Sequence, residues 1–271
     1  MSWLDQLGTL TEPAVLVTVR RAEGSTPRAA GTQMIVSTER AFGTIGGGQL
    51  EYKAIEAARA ILARRDSTMT TEQRFALGPS LGQCCGGAVT LGFERFDAAG
   101  TASLVRRLRA EYESSIDWSI QLFGAGHVGH AIVSALAALP CNITWIDERA
   151  AQFPAALPAN VTVTTSDVPP DEVARAMPGG YFIVLTHSHA LDEDICAKVL
   201  ARGDFAYLGL IGSATKRATF ERRLKVRGFD AASVERITCP IGIAGIESKE
   251  PAAIAIAVAA ELLQVRERRG A

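Results

Sequence analysis

The chain has 271 residues, 48% of them hydrophobic and 21% charged, and a formal net charge of −1. This is the composition of a globular chain of about two domains, and the near-zero net charge excludes bulk attraction to nucleic acid or to an anionic membrane. No basic-then-apolar leader opens it, the late apolar run from Pro251 to Ala260 is closed by Glu261, and the cysteines number five, odd for a disulfide framework. A cytoplasmic protein with free thiols and no membrane span is therefore expected.

In chain order, β-branched and apolar residues predict strands over 14–20, 34–36 and 40–44. Helix formers with apolar Ile55, Ala58 and Leu62 at helical spacing predict a helix over 50–65. Strands over 70–77 and 88–96 flank a glycine-rich insert at 78–87, and a helix over 101–112 follows. The polar run Glu113-Ser114-Ser115-Ile116-Asp117 marks a domain boundary, giving domains 1–115 and 116–271. In the second domain, apolar strands over 119–123, 142–147, 161–164, 181–186 and 205–211 alternate with helices over 128–139, 191–202, 216–226 and 252–266. Such alternation predicts a parallel sheet covered on both faces. The fold expected is α/β: a C-terminal Rossmann-like domain preceded by a smaller α+β domain.

Gly124-x-Gly126-x-x-Gly129 lies between a predicted strand and a predicted helix, and Asp147 ends the next strand. There the glycines permit a tight turn, the helix N-terminus offers N–H groups to a phosphate, and Asp147 would bind a ribose hydroxyl. A Rossmann shape that binds no dinucleotide is the alternative. His127 either faces a ligand or sits as an exposed loop histidine. His187-Ser188-His189 and Asp192 follow a strand at its carboxyl end, either as a metal set or as a helix cap with packed histidines. Gly209-Leu210-Ile211-Gly212-Ser213 with Lys216 and Arg217 suits an anion, or is a solvated first turn.

In the first domain, Gly46-Gly47-Gly48 enters a helix without the lysine of a nucleoside-triphosphate loop. Arg28, in Gly24-Ser25-Thr26-Pro27-Arg28, would hold phosphate beside it. Turn geometry alone is the other reading of both segments. Cys84 and Cys85, flanked by Gly82 and Gly86-Gly87, lack C-x-x-C spacing and read as a soft ligand or sulfur-handling group, or as buried thiols.

Together with Thr186-His187-Ser188-His189 and Cys239-Pro240-Ile241-Gly242-Ile243, these segments resemble the XdhC/CoxI family over nearly the whole chain and in order. Any one motif is moderately specific; the ordered set is highly specific. The resemblance implies an accessory protein (a cofactor chaperone rather than a turnover enzyme) that binds the molybdenum cofactor, molybdopterin. It further implies support for cofactor sulfuration with a cysteine desulfurase, and delivery to the molybdenum subunit of an apo-xanthine dehydrogenase-type hydroxylase. Cys84 or Cys85 would contact the cofactor or its sulfur. The residues by themselves leave open an NAD(P)-dependent oxidoreductase, for which Asp147 and Arg149 speak. A homodimer is the expected assembly.

Overall fold

The computed structural model describes residues 7, 10–64, 70–78 and 86–270, and the chain divides into two compact units, Met1–Ser115 and Ile116–Ala271. Cys84 and Cys85 lie outside the described residues.

In the first unit, strands β1 (Ala14–Glu23), β2 (Gln33–Ser37), β3 (Ala41–Gly43), β4 (Thr70–Ala76) and β5 (Ala88–Phe96) form an antiparallel sheet in the order β3-β2-β1-β5-β4. Side chains of a strand alternate between faces, so β1 serves two cores. Val15, Val17 and Val19 pack with Leu50, Ala54, Ala58 and Ile61 of helix α1 (Gly48–Ala63), while Ala14 and Leu16 pack with Leu104, Val105 and Leu108 of α2 (Ala98–Ser115). The result is an α+β sandwich with a helix on each face of the sheet.

In the second unit the strands are β6 (Ser119–Phe123), β7 (Asn142–Asp147), β8 (Val161–Thr165), β9 (Tyr181–Val184), β10 (Tyr207–Leu210) and β11 (Ile237–Thr238). All pair in parallel, in the order β11-β10-β9-β6-β7-β8. Counted within the unit this is 3-2-1-4-5-6, the doubly wound Rossmann order. Helices α3 (His127–Leu136) and α8 (Pro251–Gly270) cover one face through Ile132, Val133, Val258 and Leu262. On the other lie α5 (His189–Arg202) and α6 (Ala214–Val226), through Ile195, Val199, Phe220 and Leu224. Two short helices, α4 (Pro169–Glu172) and α7 (Ala231–Glu235), complete the unit. The α/β class and the Rossmann-like second domain are as the sequence predicts. Among the described residues, no helix is long and apolar enough to cross a membrane.

Candidate functional site

The strand order reverses between β6 and β9, which places there, at the carboxyl ends of the strands, the crevice in which open α/β sheets take ligands. Gly124, with φ of 117°, turns the chain out of β6. A Cβ on it would stand 2.3 Å from the carbonyl oxygen of Leu185, just past β9, and one on Gly129 would stand 2.3 Å from the oxygen of Gly124. Both glycines are therefore required by close backbone approach. Gly126 caps α3 and has no side chain to bond the first turn, so no side-chain cap closes that helix N-terminus. The His127 side chain is exposed. By contrast Ser188 and Ser213 cap α5 and α6, accepting from the Leu191 and Lys216 amides.

Asp147, 5% exposed, is turned into the glycine turn. Its Oδ2 accepts from the Ala125 amide at 2.7 Å and from Arg149 Nη2 at 2.9 Å; its Oδ1 accepts from the Arg149 amide and Nε, both at 2.9 Å. Burial pushes this carboxyl up, but the Arg149 guanidinium and the two amides outweigh it and bring the pKa down to about 2. The anion is thus fixed, with its oxygens engaged by the chain itself. Trp145, fully buried, donates its indole N–H to the Gly124 oxygen at 3.0 Å and has His130 edge-on at 4.8 Å, packing the turn from beneath.

On the other side of the crevice, His187 is exposed, with Nε2 3.8 Å from a Glu148 carboxylate oxygen, and His189 is exposed at the first position of α5. Asp192 does not join them. Its Oδ1 accepts from the Thr186 amide at 2.9 Å and hydroxyl at 2.7 Å, and its Oδ2 pairs with Lys216 Nζ at 2.7 Å. Lys216 also donates to the Ile211 oxygen at 2.9 Å. Among the described residues no three His, Cys, Asp or Glu side chains come together to hold a metal ion. The expected metal set of His187, His189 and Asp192 is corrected accordingly: Asp192 is a buried strut. Lys216 is likewise its partner, not a cation held open for a ligand.

In the first unit three segments meet at one rim. A Cβ on Gly46 would stand 2.6 Å from the Pro27 ring, and one on Gly87 would stand 2.4 Å from the Ser25 oxygen. The glycine loop does cradle an anion, and that anion is Glu51. Its Oε2 accepts from Ile45 N at 3.0 Å, Gly47 N at 3.1 Å and the Thr44 hydroxyl at 2.5 Å, while the Gly46 amide donates to Thr44 Oγ1. The expectation of free Gly46 and Gly47 amides for an outside phosphate is corrected by this internal carboxylate; Gly48 opens α1. Arg28 is exposed beside the loop, its guanidinium without a partner among the described residues. The sequence reading assigns no role to Glu51 or Glu148; an acid three residues after the Gly46-Gly47-Gly48 run is the readable signal for the first.

Fold and strand order define a Rossmann-type domain that follows an antiparallel α+β unit in the sequence. A family model described as the XdhC Rossmann domain matches residues 120–262, and another, described as the XdhC and CoxI family, matches residues 10–73. The chain belongs to the XdhC and CoxI family. It is 28% identical over 258 residues to the uncharacterized protein YqeB of Escherichia coli K12, an alignment taking in 94% of this chain and 44% of YqeB. The chain thus spans less than half the length of that curated relative. A crystal structure described as a xanthine dehydrogenase from Bacillus halodurans is 20% identical, with a TM-score of 0.78 over 99% of this chain and 97% of the other. At that identity the likeness is one of fold.

Proposed function

We propose that the chain is an accessory protein of a xanthine dehydrogenase-type molybdenum hydroxylase, which binds the molybdenum cofactor, supports its sulfuration together with a cysteine desulfurase, and passes it to the apo-hydroxylase. The observation that carries this is membership of the XdhC and CoxI family, with matches in both units. When bound, the cofactor supplies a molybdenum centre on a phosphate-bearing pterin dithiolene. The fit of this chain to such a group is uneven. In the Gly46-Gly47-Gly48 loop the Gly47 amide is taken by Glu51 and the Gly46 amide by the Thr44 hydroxyl. In the crevice, the first turn of α3 with no side-chain cap, the exposed His127 and His187 and the outer edge of Arg149 present donors to a phosphate.

Sulfur chemistry falls to Cys84 and Cys85 in this reading. Burial pushes the pKa of Cys141 up to about 11 and raises those of Cys196 and Cys239 as well, which keeps the described thiols protonated near neutrality.

The test is uptake of cofactor, read as pterin fluorescence after oxidative release from the re-isolated protein, for wild type and for the Cys84→Ala, Cys85→Ala double variant. Wild type is expected to retain pterin, and the double variant to lose most of it while melting at the same temperature. Wild type that retains none, and that leaves activation of the apo-hydroxylase unchanged, would overturn the proposal. An NAD(P)-dependent oxidoreductase is the second reading, favoured by the Rossmann strand order. Hydride transfer to or from a nicotinamide with tight dinucleotide binding is the result that would select it.

A further inference from the structure

In dinucleotide-binding Rossmann domains an acidic residue at the end of the second strand takes the ribose hydroxyls, or a nearby arginine accommodates a 2′-phosphate. Here Asp147 ends β7, the second strand of the unit. A carboxylate offers about four lone-pair positions. Asp147 already accepts from the Ala125 amide, the Arg149 amide, Arg149 Nε and Arg149 Nη2, all within 2.9 Å. No position is left for a pair of hydroxyls. A ribose diol would have to displace a bidentate guanidinium from a buried anion.

The same bonds give Arg149 a different use. Nε and one Nη2 hydrogen are held by Asp147, while Nη1 has no partner among the described residues and the side chain is 41% exposed. Because Asp147 is itself bonded to the Ala125 amide, the guanidinium is fixed beside the glycine turn at the rim of the crevice. An arginine clamped on one edge loses little further freedom on binding, and its outer fork matches two oxygens of a phosphate. Glu148, the adjoining acid, faces His187.

We propose that the Asp147–Arg149 pair makes the crevice selective for a ligand carrying a phosphate monoester beside the end of β7, and against one presenting a free ribose diol there. The inference rests on the crevice being a ligand site, as in the function proposed above. The phosphate has two possible sources, a 2′-phosphorylated dinucleotide or the terminal phosphate of a pterin cofactor. The experiment compares two pairs of probes that differ by that group. NADP⁺ and NAD⁺ are titrated into the full chain with tryptophan fluorescence as readout, since Trp145 bonds the Gly124 oxygen. Molybdopterin, before and after phosphatase treatment, is followed by equilibrium dialysis.

The phosphorylated member of at least one pair should bind about tenfold or more tighter, the effect of one charge-assisted hydrogen bond. Arg149→Gln should bring the members of that pair to within about twofold, and Arg149→Lys should keep part of the preference. Thermal melting and unliganded fluorescence establish that both variants are folded. Preference for NADP⁺ without pterin binding supports the selectivity and counts against the proposed function. Pterin binding that ignores both the phosphate and Arg149 overturns the selectivity and leaves the proposed function standing. NAD⁺ binding as tightly as NADP⁺, with no phosphate preference in the pterin pair, overturns it too, and failure of every probe to bind overturns both.

Discussion

Asp147 shows how one side chain can be read correctly for its place and differently for its work. Its position at the end of a strand after a glycine turn was legible in the sequence; its engagement by Arg149, two residues on, is an Asx turn closed by the guanidinium, which the sequence permits but does not require. The anion's stabilisation has a definite pH signature. Its pKa falls from 3.8 to about 2 on folding, so the native state binds fewer protons than the unfolded state between these values. Its contribution, about 2 kcal/mol, is therefore fully present above pH 4 and lost as pH falls through the folded pKa. Asp147→Asn should be less stable than wild type by roughly that amount at pH 7 in urea unfolding, and the gap should close as the pH approaches 2. A gap that is constant across that window would show that the charge is not what holds the turn. Gly124→Ala, with a positive φ and a Cβ driven against the Leu185 oxygen, should cost about 3 kcal/mol or more at any pH.

At the level of elements, the long periodic segments could be read from sequence and the short ones could not. Helices α3, α5, α6 and α8 begin within two residues of where their apolar spacing places them. Strand β11, with Ile237 and Thr238 alone, and helices α4 and α7 carry too few residues to show any period; tertiary contacts define them. The glycine loop before α1 was visible as a nest for an anion, but not that the anion would be Glu51, because a carboxylate one helical turn on reaches back only when the loop folds over it. Glu51→Gln places an amide where three donors converge, and should cost about 1–3 kcal/mol, with faster hydrogen exchange at the Ile45 and Gly47 amides as the local readout. Unchanged exchange there would remove Glu51 from this role. The strut between α5 and α6 is also open to test. Lys216→Met leaves the buried Asp192 uncompensated and should destabilise by roughly 3–5 kcal/mol, while the Lys216→Met, Asp192→Asn double variant should recover a good part of that.

At the scale of the whole molecule, each unit carries its own core. In the first, β1 is flanked by the apolar faces of α1 and α2. In the second, Trp118, Trp145, Phe123 and Phe182 are fully buried between a six-stranded sheet and its helices. A unit that closes its own backbone ladder and buries its own aromatics has what independent folding requires. Residues 116–271, expressed as a separate polypeptide, should therefore unfold in a single cooperative transition and show the emission of buried tryptophan. The acid-sensitive step of Asp147 belongs wholly to this unit, since Ala125, Arg149 and Trp145 all lie within it. The fragment should therefore repeat the pH dependence of the full chain, including its loss in Asp147→Asn. A fragment with broad, non-cooperative melting would mean that the crevice takes part of its stability from residues outside 116–271, and the selectivity assigned to Arg149 would then have to be measured only in the full chain.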